Sequence, residues 1–252
     1  ADRNEYIVTT NKEMPELLKN IKIDNCEMEP VSLVNGPTEG DNRLIASILY
    51  KYRQEPYNKI LERVRSMSWN EKEKIFDNYL KNLGDFDSPL RELEHIDFTF
   101  DIVMDYGAFR DLQRHRICTQ TNQFFTAGMG YDVPGDIENS GCGEKYKVAM
   151  NRAREIYEKV AEKYPLQAQY LLPLGFRKRF LISMNLREAY YFIKIRSTPM
   201  AHESYRKIAF KMYECLKNNY PLLAKYIVCQ FKQEELGRLK SEEKTERKEN
   251  VI

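Results

Sequence analysis

No two cysteines in this chain are spaced as CxxC, and the five present (Cys26, Cys118, Cys142, Cys215 and Cys229) are scattered and odd in number. That pattern argues against a disulfide framework and suits reduced thiols in a cytoplasmic protein. Histidine is scarcer still. His95, His115 and His202 offer no Cys/His cluster with the spacing of a structural zinc site, so no metal site is expected. No stretch reaches the roughly 18 apolar residues that a membrane helix needs, and no signal peptide opens the chain. The formal net charge is only +2, which gives no overall field to draw nucleic acid or a membrane surface. Any anion-binding site must therefore be local.

What remains is ordinary in bulk and informative in detail. With 252 residues, 42% hydrophobic and 31% charged, the chain is long enough to bury a sizeable core. Residues 1–40 predict a short strand near Tyr6–Thr9, a short helix, and then a loop punctuated by Pro30, Gly36, Pro37 and Gly40. Asp41-Asn42 can cap a helix to about Tyr52, Pro56 admits a second, and Ser68 with Glu71 forms a capping box for a third that Gly84 stops. From Glu94 to Asp105 apolar and polar residues alternate, with Ile96, Phe98, Phe100, Ile102 and Met104 on one face. Such a strand fits an antiparallel sheet covered on one side. A helical stretch follows over 106–116, then an irregular segment over 117–143 and a helix over about 144–164. FRKRFLISM (Phe176 to Met184) reads as another strand. Asn185 can cap a helix to about Arg196, and Ala201 to Leu216 forms one more. The reading is a single α+β domain over residues 1–232, with an antiparallel or mixed sheet flanked by helices, and a charged, flexible tail over 233–252.

Two clusters carry chemistry. Arg114-His115-Arg116 places three donors in succession, and guanidinium forks suit phosphate. The same triplet also suits a solvated helix end, where basic side chains favour the C-terminal dipole. Arg187 and Arg196 are about half a turn out of phase on one helix and so point toward different neighbours. They too can be plain surface arginines, opposite a core stripe of Leu186, Ala189, Phe192 and Ile193.

The run EHIDFTFDIVMDYGAFRDLQRHR, Glu94 to Arg116, resembles the approach to the RHR signature of flavin-dependent thymidylate synthases, the ThyX family. LPLGFRKRFLISMNLREAYYFIKIRSTPMAHESYR, Leu172 to Arg206, is similar to the second conserved half of that family. The resemblance covers roughly residues 90–216. It implies a ThyX-like fold, FAD as cofactor, and a homotetramer with sites shared between subunits. Arg114, His115, Arg116, Asn185, Arg187 and Tyr191 match flavin-site positions. Arg196 matches the arginine that polarises the uracil ring of dUMP, and Arg110 a basic residue beside the nucleotide. The implied reaction is methylation of dUMP to dTMP, with methylenetetrahydrofolate as carbon donor and NADPH as hydride source.

The departures from that family lie on the nucleotide side. A serine expected after the triplet is Phe124, or Phe125 with one insertion, and the nearest hydroxyl is Thr126. Asn122 stands for a glutamate, Gln169 for a second uracil-binding arginine, and Asp111 for a glutamine. Asp87-Ser88-Pro89 replaces a histidine-bearing turn. Each charge-assisted hydrogen bond lost removes about 1.5–3 kcal/mol of binding. The chain therefore reads either as an FAD-binding protein with a degraded dUMP site or as a non-catalytic relative that supports assembly with an active partner. Nearby residues have plainer readings. Cys118 is a reactive thiol or a buried structural one, His202 a helix-surface residue, His95 a polar residue on the open strand face, and the two phenylalanines plugs for a pocket.

Overall fold

The computed structural model describes residues 4–19, 21–22 and 29–231. The charged tail expected over 233–252 lies outside the described residues. In chain order the elements are α1 (Glu5–Leu18), β1 (Val31–Asn35), α2 (Gly40–Tyr50), α3 (Tyr57–Arg65), α4 (Trp69–Leu80) and β2 (Asp97–Asp105). Next come α5 (Tyr106–Leu112), β3 (Thr119–Asn122), α6 (Gly135–Asn139), α7 (Gly143–Ala161) and α8 (Pro165–Ala168). The chain ends with β4 (Arg177–Asn185), α9 (Leu186–Arg196), α10 (Glu203–Asn219) and α11 (Pro221–Ala224). Short 3-10 turns occupy Arg91–His95, Ala127–Met129 and Gln169–Leu171. No described helix is long and apolar enough to cross a membrane.

The fold is α+β, built on a four-stranded sheet in the order β1-β2-β4-β3 with every neighbouring pair antiparallel. The alternation read in the sequence sets its faces. Phe98, Phe100, Ile102 and Met104 of β2 lie beside Met184, Ile182, Phe180 and Lys178 of β4, and all eight are buried. The other face carries Thr99, Asp101, Ser183 and Arg179, where Arg179 grips Asp101 through both carboxylate oxygens at 2.6–2.9 Å. One side of the sheet is thus a core wall, and the other is polar and partly open.

Two early expectations are reversed. Tyr6–Thr9 is not a strand but part of α1, while the strand lies at Val31–Asn35, in the stretch read as loop. The β-branched run at 6–9 has no sheet edge to join among the described residues, so helical bonds within the segment satisfy its backbone instead. Val31–Asn35 is a short edge strand, bounded by Pro30 and Gly36, that gains its bonds only by pairing with β2. Three smaller shifts have local causes. The β2 strand starts at Asp97 because the 3-10 turn takes up Glu94 and His95. Helix α2 starts at Gly40, directly after a left-handed Glu39 (φ 54°) that serves as its N-cap. Helix α4 ends at Leu80, short of Gly84. The Ser68 capping box is present as read, with Ser68 Oγ accepting from the Glu71 amide and Glu71 accepting from the Ser68 amide.

The main core packs α2, α4, α9, α10 and α11 on the apolar face of the sheet, with Phe76, Phe98, Phe100, Phe180 and Phe192 fully enclosed. A second, smaller core gathers Phe125, Ala127, Met150, Leu172 and Phe176 beneath α7. Tyr106 touches both cores. Its ring stacks on Phe109 at 5.8 Å and on Phe125 at 4.5 Å.

Candidate functional site

Helix α9 begins as the sequence proposes. Asn185 is its N-cap, and its Oδ1 accepts from the Glu188 amide at 2.9 Å. That bond fixes the first turn, which carries Arg187 and Glu188. Arg187 reaches one way: its Nε donates to the Pro89 carbonyl at 2.7 Å and its Nη1 to Glu94 at 2.9 Å. Arg91 first, and Arg187 with it, holds the Glu94 carboxyl below the usual carboxylate range. Asp87-Ser88-Pro89, the segment that departs from the family turn, is therefore tied to α9 by Arg187.

Arg196, at the far end of α9, reaches the other way, as the half-turn phase requires. Its Nε donates to His115 Nε2 at 3.0 Å and its Nη2 to the Asp111 carbonyl at 2.9 Å. The guanidinium carbon lies 5.2 Å from the centre of the Tyr205 ring, close enough for a cation–π contact. His115 is buried, with Nδ1 2.8 Å from a Glu188 oxygen and its ring 4.6 Å from Phe192. Glu188, His115 and Arg196 thus form a continuous chain. Sequence reading missed Glu188, because an acid in a first helical turn is explained by the helix dipole alone.

The triplet lies in the turn that leaves α5, and its three members differ. His115 points inward, whereas Arg114 and Arg116 are exposed. Arg114 pairs with Asp111. Arg116 has no partner among the described residues, and Arg110 is likewise exposed in the last turn of α5. Tyr191 is half exposed, its ring 6.2 Å from that of His115. Exposed arginines beside an exposed tyrosine suit an anionic, aromatic ligand. Cys118 is buried, and desolvation pushes its thiol up to about 12, which fits the structural reading rather than the reactive one.

Two of the departures expected from the sequence on the nucleotide side, Gln169 and Phe125, meet in the fold. Gln169 Oε1 accepts from the Phe125 amide at 3.0 Å. The Phe125 ring is buried in the second core, while Phe124 is exposed. Lys178 anchors the same loop: its Nζ donates to the Gln123 carbonyl at 3.0 Å and sits 5.3 Å from the Phe109 ring. Desolvation lowers its ammonium pKa from the ordinary lysine value. Thr126 Oγ1 accepts from the Gly128 amide at 3.4 Å, capping the adjoining 3-10 turn. Asn122 is exposed at the end of β3.

A cleft of about 740 Å³ lies elsewhere, between His202, Lys207 and Lys211 of the α10 region and Asp105, Asp132 and Arg177 opposite. None of the sequence-derived site residues lines it. Two opposite-charge pairs form within it, Arg177 with Asp132 at 2.5–2.8 Å and Lys207 with Glu203 at 2.6 Å. The arginine-bearing face is the better candidate, because several of its donors remain uncommitted. His202 caps α10, with Nδ1 accepting from the Ser204 amide, and His95 is an exposed residue of the 3-10 turn before β2.

Comparison with known proteins gives the family and the fold of the chain. The sequence model of Thy1, the thymidylate synthase complementing proteins, matches residues 33–222. A UPF0159 protein of Chlamydia muridarum is 33% identical over 215 residues, covering 84% of this chain and 40% of its own length. A flavin-dependent thymidylate synthase of Sulfolobus acidocaldarius is 33% identical over 145 residues, covering 53% of this chain and 55% of its own. Among solved structures, the flavin-dependent thymidylate synthase ThyX of Helicobacter pylori, complexed with FAD and dUMP, superposes with a TM-score of 0.58 at 14% identity. That match covers 79% of this chain and all of the other (100%). The chain spans about two fifths of the length of the UPF0159 relatives it matches (40–41%).

Proposed function

Because this chain belongs to the Thy1 family of thymidylate synthase complementing proteins, we propose that it is an FAD-binding domain whose grip on a uracil nucleotide has been rebuilt. The carrying observation is the Gln169–Phe125 hydrogen bond. It joins Gln169, which the resemblance matches to an arginine, to Phe125, which it matches to the serine once one insertion is allowed, and it leaves a carboxamide and a buried ring in place of a guanidinium and a hydroxyl. Without those donors, dUMP binds weakly and its methylation is slow in this domain alone.

The residues present fit a flavin. Arg116 is uncommitted among the described residues, and Arg187 keeps Nη2 free beside its two bonds to Pro89 and Glu94. Asn185 engages only Oδ1 in the cap, leaving its Nδ2 donors. Arg114, Arg116 and Arg187 would hold the phosphates, and Tyr191 would flank the ring system. When bound, FAD supplies hydride transfer, with NADPH as reductant and methylenetetrahydrofolate as carbon source. The chain itself binds and orients, and Arg196 polarises a uracil carbonyl by donating to its oxygen. Subunits of a tetramer would share these groups, and a partner chain would complete what this domain lacks.

A second reading, favoured by the two-fifths coverage of its relatives, is a non-catalytic domain that supports an active partner or another part of a longer chain. The first experiment is an absorbance titration with FAD on the wild type and on Arg116→Ala and Arg187→Ala. Saturable binding that weakens at least about tenfold in each variant, as expected for a lost charge-assisted bond, supports the proposal. No binding, or equal affinity in all three proteins, overturns the flavin site and favours the second reading.

A further inference from the structure

We infer that Glu188 is the positioning residue for Arg196, acting through the tautomer of His115. The inference rests on the proposed function only where it assigns Arg196 to a uracil ring. An arginine Nε–H can only donate, so His115 Nε2, 3.0 Å away, presents a lone pair. The imidazole proton then sits on Nδ1, which faces a Glu188 carboxylate oxygen at 2.8 Å. Each hydrogen bond points the same way, from Arg196 to His115 to Glu188. An Nε2–H tautomer or an imidazolium would set N–H against N–H and push the guanidinium away.

The surroundings keep this direction. The side chains of His115 and Glu188 are only 5% and 12% exposed, so water offers little competition. The Asp111 carboxylate is taken by Arg114, while its carbonyl accepts from Arg196 Nη2. The His115 ring also lies against the rings of Phe192 and Tyr191, at 4.6 and 6.2 Å between centres. Glu188 is itself fixed by the bond from its amide to the Asn185 cap, which sets the direction of its side chain. Arg196 is then held at Nε and Nη2 and flanked by Tyr205, with Nη1 left to donate to a ligand. Placement of a reacting group by a second residue is the purpose that histidine–carboxylate pairs serve in other sites.

Long-range proton–nitrogen NMR on histidine- and arginine-labelled protein tests this directly, with His95→Gln and His202→Gln used to assign His115. The wild type should show His115 as the Nδ1–H tautomer and a slowly exchanging Arg196 Nε–H. Glu188→Ala should move the proton to Nε2 and speed exchange of Arg196 Nε–H at least about tenfold, and Glu188→Gln, which keeps an acceptor, should restore both. Excess dUMP should shift the Arg196 Nε–H signal in the wild type and the glutamine variant but not in the alanine variant. A wild type with Nε2–H or imidazolium overturns the inference without any variant, as does a folded alanine variant with both signals unchanged. If the tautomer responds to Glu188 but dUMP moves nothing, the relay stands and the assignment of Arg196 to uracil falls.

Discussion

The two sides proposed for the candidate site are held in different ways. On the side proposed for flavin the framework is helix α9 with its Asn185 cap, which carries Arg187 and Tyr191. On the side proposed for the nucleotide the loop after β3 packs inward: Phe125 is buried against Tyr106, Gln169 holds its amide, and Lys178 holds the carbonyl two residues earlier. A capped helix positions its residues by backbone hydrogen bonds, which survive substitution of neighbouring side chains. A loop is positioned by whatever its side chains touch, so replacing a hydroxyl with a phenyl ring changes both its chemistry and its packing.

That contrast predicts an unequal response to truncation. Phe125→Ala removes a buried, stacked ring and should cost about 3–5 kcal/mol, read from urea unfolding. A loss below about 1 kcal/mol, the level of an ordinary surface change, would mean that the loop is not the core element described here. On the flavin side, Arg187→Ala should have a smaller effect that depends on pH. The folded pKa of Glu94 is depressed, through Arg91 first and then Arg187. The stability it contributes is therefore present above the ordinary glutamate range and lost as pH falls through the lowered folded value. The stability gap between wild type and Arg187→Ala should accordingly be widest near neutrality and narrow in acid, where the bond to the Pro89 carbonyl alone remains. A gap that is constant with pH would dissociate Arg187 from Glu94. The smallest effect is expected at Cys118, next to the Arg114-His115-Arg116 triplet. With its thiol raised to about 12 by burial, it should stay unmodified by a maleimide at pH ~8, well below that value, while exposed Cys142 is labelled. Peptide mapping that finds Cys118 labelled in the folded protein would show this region to be open.

Much of the framework was legible. The alternation over Phe98 to Met104, the FRKRFLISM strand, the Ser68 capping box and the Asn185 cap all rest on contacts within a few residues, and each appears in the structure. The first 40 residues were less so. A β-branched run at Tyr6–Thr9 looks like a strand in any local window, and Val31–Asn35 becomes one only because β2 lies beside it. In the candidate site, the opposite directions of Arg187 and Arg196 followed from helical phase. The role of Glu188 did not, because its partner His115 is 73 residues away in sequence. Nor did the Gln169–Phe125 bond, which spans 44 residues. Each substitution reads alone as a loss, and only together do they read as a replacement.

The sequence by itself determined the α+β class, the apolar and polar faces of the central strands, and which residues can donate to an anion. Periodicity, caps and side-chain chemistry are local properties, and they are written in neighbouring residues. Only the tertiary structure decided which of those donors remain available. A guanidinium or an imidazole has a fixed number of hydrogen-bonding positions, and the fold brings distant acceptors to some of them. Of the Arg114-His115-Arg116 triplet, His115 is thereby committed at both nitrogens, Arg114 shares its guanidinium with Asp111, and Arg116 has no partner among the described residues.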